Sequence, residues 1–369
     1  MDTNLTEFLV DWLNFNADTA FDLLEHMDIR VSKDNKYPTL YNLKYGTIMA
    51  DKASPIVRAC RGAVVEKMQD RKGKSFFELR AYAFDRFFNI GESFCHELDW
   101  GNARVYEKYD GSLIKLFEYN GEWLVSTSGT VSGSSSVGDS NKSFSDLFWE
   151  VFEMVGYSKE ALNPDICYIF ELCHRANRIV VDYKEPQLPL LAARDRTQGF
   201  RELNLEKFGA SQGFRVAQSY EFGDEEAVKS AVNGRGADFE GFILFDGAGR
   251  CKVKSDMYCQ LHRVRGNGTP DFSELFLGDD LDEFLLHFPE YEDEFRAHTS
   301  RLSEIESKVN FVVDNNKELS QKEFAKVVFN EVPEASGSCF SIRSGKFPNF
   351  NSWLESLTPK KLDVLLGID

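Results

Sequence analysis

The sequence predicts an α+β fold built on antiparallel sheet over residues 1–265, followed by an all-helical C-terminal region over 266–369. Three observations carry this. Short runs of β-branched and aromatic residues recur through the first part. Asn120-Gly121, the dipeptide best suited to a two-residue hairpin turn, lies between two of these runs. Beyond Gly266-Asn267-Gly268-Thr269-Pro270 the apolar spacing changes from strand-like to helical.

In chain order, a helix is expected at 5–15, then strands at 61–67 (RGAVVEK), 76–84 (FFELRAYAF), 105–109 (VYEKY), 112–119 (SLIKLFEY) and 122–128 (EWLVSTS). The Ser/Gly-rich stretch 126–145 reads as a flexible loop closing a hairpin, or as a mobile loop over a substrate site. A helix at 144–155 would place Phe148, Val151, Phe152 and Val155 on one face. Strands follow at 167–172 (CYIFEL), 178–183 (RIVVDY) and 188–194 (LPLLAAR), a helix at 224–232, and strands at 239–245 (FEGFILF) and 250–254 (RCKVK). Helices at 272–288, 291–313, 321–332 and 352–366 complete the chain.

The 369 residues include 60 Asp plus Glu against 43 Lys plus Arg, a net charge of -17, and 32 Phe. That composition supplies ample core and excludes global disorder. A pI near 4.9 excludes a uniformly basic nucleic-acid coat but not a local basic cleft. The charge is uneven: residues 261–369 hold 20 acids and 12 bases, whereas 51–89 hold nine bases and five acids, and 250–265 five bases and one acid. MDTNLTEFLV has no secretory-signal pattern, no apolar run is long enough to span a bilayer, and a cytoplasmic protein without a membrane partner is expected. Seven dispersed cysteines and six histidines show no metal-ligand spacing and suggest reduced, mostly buried thiols.

The most informative segment is Lys108-Tyr109-Asp110-Gly111-Ser112, between two strand-like runs. A lysine acts as a nucleophile only when its neutral amine is populated, which burial or neighbouring cations promote. Gly111 would let the backbone turn tightly beside a ligand that Asp110 and Ser112 can hydrogen-bond. Read alone, the segment is more simply an ordinary polar turn. Further on come Phe170-Glu171-Leu172, Asn177-Arg178-Ile179-Val180, Glu240-Gly241-Phe242 and Lys252-Val253-Lys254-Ser255-Asp256-Met257-Tyr258. Upstream lie Arg61-Gly62-Ala63-Val64 and Phe87-Phe88-Asn89.

In this order the segments resemble the covalent nucleotidyltransferases, and specifically the T-even bacteriophage RNA ligase 1 family, over most of residues 55–260. The resemblance implies a nucleotidyltransferase domain on antiparallel sheets and an ATP-dependent reaction. Lys108 would take AMP from ATP, pass it to an RNA 5'-phosphate, and a 3'-hydroxyl would then expel it. It further implies that Glu240 and Asp110 hold Mg²⁺ or Mn²⁺, and that Lys252 and Lys254 reach phosphate oxygens. Glu171 would contact the ribose or support the nucleophile, Arg61 would lie near the phosphates or ribose, and Tyr258 would pack at the nucleotide. Arg86 and Phe88 are also implied to bind it.

Ser128 stands where the family usually carries a lysine, which Lys115 or Lys142 could replace, and Arg86 also stands in for lysine. The implied partner is RNA with broken ends, such as a nicked tRNA anticodon loop in the host-cell cytoplasm, with the C-terminal helices choosing the substrate. No P-loop motif is present, so an end-healing kinase-phosphatase would act separately. The alternatives are a non-catalytic RNA-end or tRNA-binding module, a DNA ligase and an RNA-capping guanylyltransferase. The last two usually carry a C-terminal β-barrel where this chain reads as helical.

Overall fold

The computed structural model describes residues 4–46, 50–138, 141–236, 238–259, 272–278, 281–287 and 291–368. They gather into two compact units, one drawn from 1–24, 29–45 and 51–265, the other from 25–28, 46–50 and 266–369. The second unit therefore takes in two short stretches that a single boundary at 265 would leave in the first.

The first unit is α+β. Helix α1 (Leu5–Phe15) starts at Asn4, whose side chain accepts the Thr6 N–H, and buries Leu9 and Leu13. After α2 (Ala20–His26), an antiparallel sheet runs in the order β1 (Ile29–Lys33), β2 (Leu40–Tyr45), β3 (Arg61–Gln69), β4 (Ser75–Ala81), with α3 (Pro55–Ala59) leading into β3. Strands β1 and β2 were not expected; their mix of Lys, Ser and Asn hides the alternation, whereas the fold buries Leu40, Asn42, Leu43 and Tyr45.

A second antiparallel sheet has the order β11-β10-β9-β7-β8, from β7 (Ser112–Tyr119), β8 (Glu122–Ser126), β9 (Ile166–Leu172), β10 (Leu190–Asp195) and β11 (Arg201–Glu202). Asn120 and Gly121 join β7 to β8 with positive φ at both positions (53° and 83°), the backbone that a type I′ turn needs. Every residue of central strand β9 is buried. Helix α4 (Phe144–Met154), closed by a Ser143/Asp146 capping box, lays Leu147, Phe148, Val151 and Phe152 into the same core as Tyr168, Phe170 and Phe214. Each such aromatic contributes about 1.5–3 kcal/mol by burial.

The third sheet carries the site. Its order is β12-β6-β13-β14-β5, from β5 (Phe88–Asn89), β6 (Arg104–Lys108), β12 (Ser219–Tyr220), β13 (Gly241–Phe245) and β14 (Arg250–Lys254). All pairs are antiparallel except β14 with β5. Helices α5 (Leu205–Gln212) and α6 (Glu225–Asn233) lie between its strands in sequence.

Two expectations change. Residues 178–183 form no strand, because the backbone N–H groups of Val180 and Val181 are given to a carboxylate (below) and not to a neighbouring strand. The stretch after β8 leads into α4 and is anchored: Val131 and Val137 are buried, and Thr127 and Thr130 close a turn through their hydroxyls.

The second unit is helical among its described residues: α7 (Phe272–Gly278), α8 (Leu281–His287), α9 (Glu292–Asn315), α10 (Gln321–Glu331), α11 (Ser336–Arg343), α12 (Phe350–Leu354) and α13 (Pro359–Leu366). On α9, Leu302, Ile305, Val309 and Val312 form one apolar stripe, packed with Phe324 and Val328 of α10. The expected helix at 352–366 is two, since Pro359 starts a new one. That expected at 272–288 is described as α7 and α8, with 279, 280 and 288 outside the described residues. No helix among the described residues is long and apolar enough to cross a membrane.

Candidate active site

Register brings the chemistry together. Lys108, the last residue of β6, pairs with Gly241 at the start of β13, and Gly241 pairs with Lys254 at the end of β14. One row across three strands therefore holds Lys108 and Lys254 beside Glu240, the residue preceding β13. Glu240 Oε1 accepts from Lys108 Nζ at 2.5 Å and lies 3.4 Å from Lys254 Nζ. The carboxylate is only 4% exposed, and its other oxygen, Oε2, is buried without a hydrogen-bond partner. Gly241 is required by space: a Cβ there would meet the Val253 carbonyl oxygen at 2.0 Å. Arg250, Lys252 and Lys254 alternate with buried Cys251 and Val253, so the three cations share a face of β14. Cys251 Sγ lies 2.9 Å from that of half-buried Cys95; the other five thiols are buried.

Asp110 sits behind this row. Its Oδ2 accepts the backbone N–H groups of Val180 (2.8 Å) and Val181 (2.6 Å), and its Oδ1 accepts the Tyr258 hydroxyl at 3.0 Å. The Asp110 N–H donates to the Tyr183 hydroxyl oxygen at 2.9 Å. Three donors thus contact a carboxylate that is 3% exposed. Tyr258, expected at the nucleotide, is buried and directs its hydroxyl to Asp110. Gly111 permits close approach, since a Cβ would lie 2.6 Å from the Leu172 carbonyl oxygen of β9. Ser112 donates to Asn177 Oδ1 at 3.1 Å.

A cavity of about 500 Å³ opens here, lined by Arg61, Lys108, Gly111 and Glu171 among the expected residues. Glu171, on β9, is buried, and burial pushes its carboxyl up to about 8, with Lys108 opposing the shift. Arg61 stacks over the Phe87 ring at 4.8 Å. Arg86 and Phe88 line a neighbouring cavity that adjoins the first through Phe84 and Phe87. Of the two substitutes for a lysine at 128, Lys142 pairs with Glu150 on α4. Lys115 is fully buried and donates to the Thr127 carbonyl at 2.6 Å, next to Ser128; burial, assisted by Arg61, lowers its ammonium to about 7.

Sequence reasoning missed Arg104, Tyr106 and Glu206, which also line the cavity. Glu206 accepts the Tyr106 hydroxyl at 2.8 Å and pairs with Arg104 at 2.7 Å. Alternation along β6 puts Arg104 and Tyr106 on the face of Lys108, a signal that was available.

No cluster of three or more His, Cys, Asp or Glu positioned for a metal occurs among the described residues. A hard divalent cation that keeps most of its oxygen ligands from phosphates and water needs only one or two carboxylates, and the unpaired Oε2 of Glu240 fits that role.

A cleft of this build on antiparallel sheet belongs to the covalent nucleotidyltransferase superfamily. Within it the chain is a member of the RNA ligase family, whose model matches residues 59–258, the stretch that holds every expected site residue. Over 356 residues it is 29% identical to a protein of Autographa californica nuclear polyhedrosis virus described as a bifunctional polynucleotide kinase/RNA ligase, covering 88% of this chain and 48% of that one. It is 28% identical over 331 residues to the RNA ligase of Rhodothermus phage RM378, covering 72% of this chain and 74% of that one. The chain thus spans about half the length of the first relative. Among solved structures, an archaeal ATP-dependent RNA ligase overlaps 76% of this chain and 77% of its own, at 17% identity and a TM-score of 0.44.

Proposed function

We propose that this protein is an ATP-dependent RNA ligase that works through a lysine-linked AMP on Lys108. The observation that carries the reading is the row Lys108, Glu240, Lys254, whose Lys108 lines the cavity, inside a segment matched by the RNA ligase family. Attack by the Lys108 amine on the α-phosphate of ATP forms the N–P bond and releases pyrophosphate. The ammonium first gives up a proton, and Glu240 Oε1 is in contact with it. Lys252 and Lys254 neutralise phosphate charge, Arg61 holds phosphate or ribose, and Glu171 faces the ribose or the nucleophile. Asp110 is a positioning residue that ties the 180–181 backbone to the nucleophile's turn. Glu240 Oε2 is the group that would hold Mg²⁺ or Mn²⁺. Such a cation, when bound, supplies electrostatic stabilisation of the phosphoryl oxygens.

AMP then passes from Lys108 to the 5'-phosphate of RNA, and a 3'-hydroxyl displaces it to seal the strand. The name of the viral relative couples a polynucleotide kinase to an RNA ligase, which favours a companion end-healing activity for this chain. The physiological substrate we infer is broken RNA such as a nicked tRNA anticodon loop, with the domain at 266–369 selecting it.

Incubation with α-labelled ATP and Mg²⁺ tests the reading. Wild type is expected to take up an acid-labile, base-stable label that Lys108→Ala reduces to background, and to join RNA ends in preference to DNA ends. Label from GTP alone would mean a guanylyltransferase. Normal RNA binding with no label would mean a binding module.

A further inference from the structure

A second cavity, of about 730 Å³, shares Phe84, Phe87, Glu202, Phe245, Gly247 and Arg250 with the first. Five arginines line it, Arg58, Arg86, Arg194, Arg201 and Arg250, against two carboxylates, Asp85 and Glu202. In a chain of net charge -17 this is a concentrated excess of positive charge. Glu202 is consumed by Arg194, at 3.1 Å, and by Arg250. Arg86 donates to the Tyr45 hydroxyl at 2.7 Å and stacks on Phe88. Arg58 lines the cavity with no carboxylate partner among the described residues, and Arg201 is exposed, so both are placed to meet an anionic ligand.

Aromatic rings accompany the charge. Phe94 is 46% exposed, with its ring centroid 5.7 Å from that of Phe88. An exposed large ring at the mouth of an arginine-lined cavity is what stacking on an unpaired base requires. Free pyrophosphate or a triphosphate tail would use the arginines but leave that ring without a role. Single-stranded RNA uses both, through phosphate contacts to arginine and base stacking on aromatic side chains.

We propose that this second cavity binds the 5'-phosphorylated end of single-stranded RNA, with Arg58 and Arg201 on the phosphate and Phe94 under the terminal base. The proposal rests on the RNA-ligase reading for the order of events. The wall common to both cavities would then set the acceptor phosphate next to the cavity that Lys108 lines.

Full-length wild type, Arg201→Ala and Phe94→Ala, both changes at exposed side chains, would be compared by fluorescence anisotropy. The probes are a short 5'-phosphorylated RNA and its unphosphorylated twin. Wild type should prefer the phosphorylated probe. Arg201→Ala should lose about tenfold in affinity for it, as loss of a charge-assisted contact implies, and little for the twin. Phe94→Ala should weaken both probes by about fivefold or more. The KM for ATP in self-adenylylation is read in the same variants and should stay within about twofold. Unchanged RNA affinity in both variants overturns the proposal, as does a KM for ATP that rises in both, which would give the cavity to the triphosphate. Wild type that takes no label from ATP would sink the ligase reading, while the anisotropy pattern would still decide what the cavity binds.

Discussion

At the scale of single residues, the two buried glutamates do different things. Glu240 is compensated by two lysines, whereas Glu171 is buried with no ion pair among the described residues, and burial pushes its carboxyl up to about 8. The unfolded chain releases the carboxyl proton near pH 4.5, so between about 4.5 and 8 the folded state carries a proton that the unfolded state does not. Stability from this group is therefore complete below 4.5 and is lost as pH rises to 8. Wild type is expected to lose several degrees of Tm relative to Glu171→Gln between pH 5 and 8, taking about 2–4 °C per kcal/mol. Parallel melting curves for the two proteins would mean that Glu171 is ionised throughout. Lys108, Glu171, Glu240 and Lys254 were singled out in the sequence because their order and spacing resemble those of the RNA ligase family. The work of Asp110 was not legible, because its three donors come from residues 180, 181 and 258, far along the chain.

At the scale of elements, the site is a matter of register. β6, β13 and β14 bring Lys108, Gly241 and Lys254 into line, and a slip of one residue would turn Lys252 and Lys254 into the core. Gly241 guards that register because β14 passes too close for a side chain. Gly241→Ala is expected to destabilise the protein by about 1–3 kcal/mol, the usual cost of overpacking, visible as a lower urea midpoint, and to depress self-adenylylation. An alanine variant as stable and active as wild type would mean that β13 and β14 can part without consequence. Alternation made β14 readable. Residues 178–183 misled because β-branched composition states a preference for extended backbone, not which acceptor its N–H groups will find.

At the scale of the molecule, the net charge of -17 and the basic windows at 51–89 and 250–265 are reconciled by geometry, since Arg58, Arg86 and Arg250 from both windows line one cavity. RNA binding should then neutralise only about two or three phosphates, giving a slope of log affinity against log salt near -1.4 to -2.1 for a single strand. A slope steeper than about -5 would require a far broader contact surface. The sequence by itself determined the α+β and helical division and the residue types around Lys108, because the division depends on local periodicity and the residue types are read directly. Only the tertiary structure decided that Asp110 accepts two backbone N–H groups and the Tyr258 hydroxyl, that Arg86 and Phe88 line a second cavity, and that Lys115 is buried beside Ser128. These facts depend on which distant segments share a neighbourhood, and burial and hydrogen-bond partners exist only once the chain has folded.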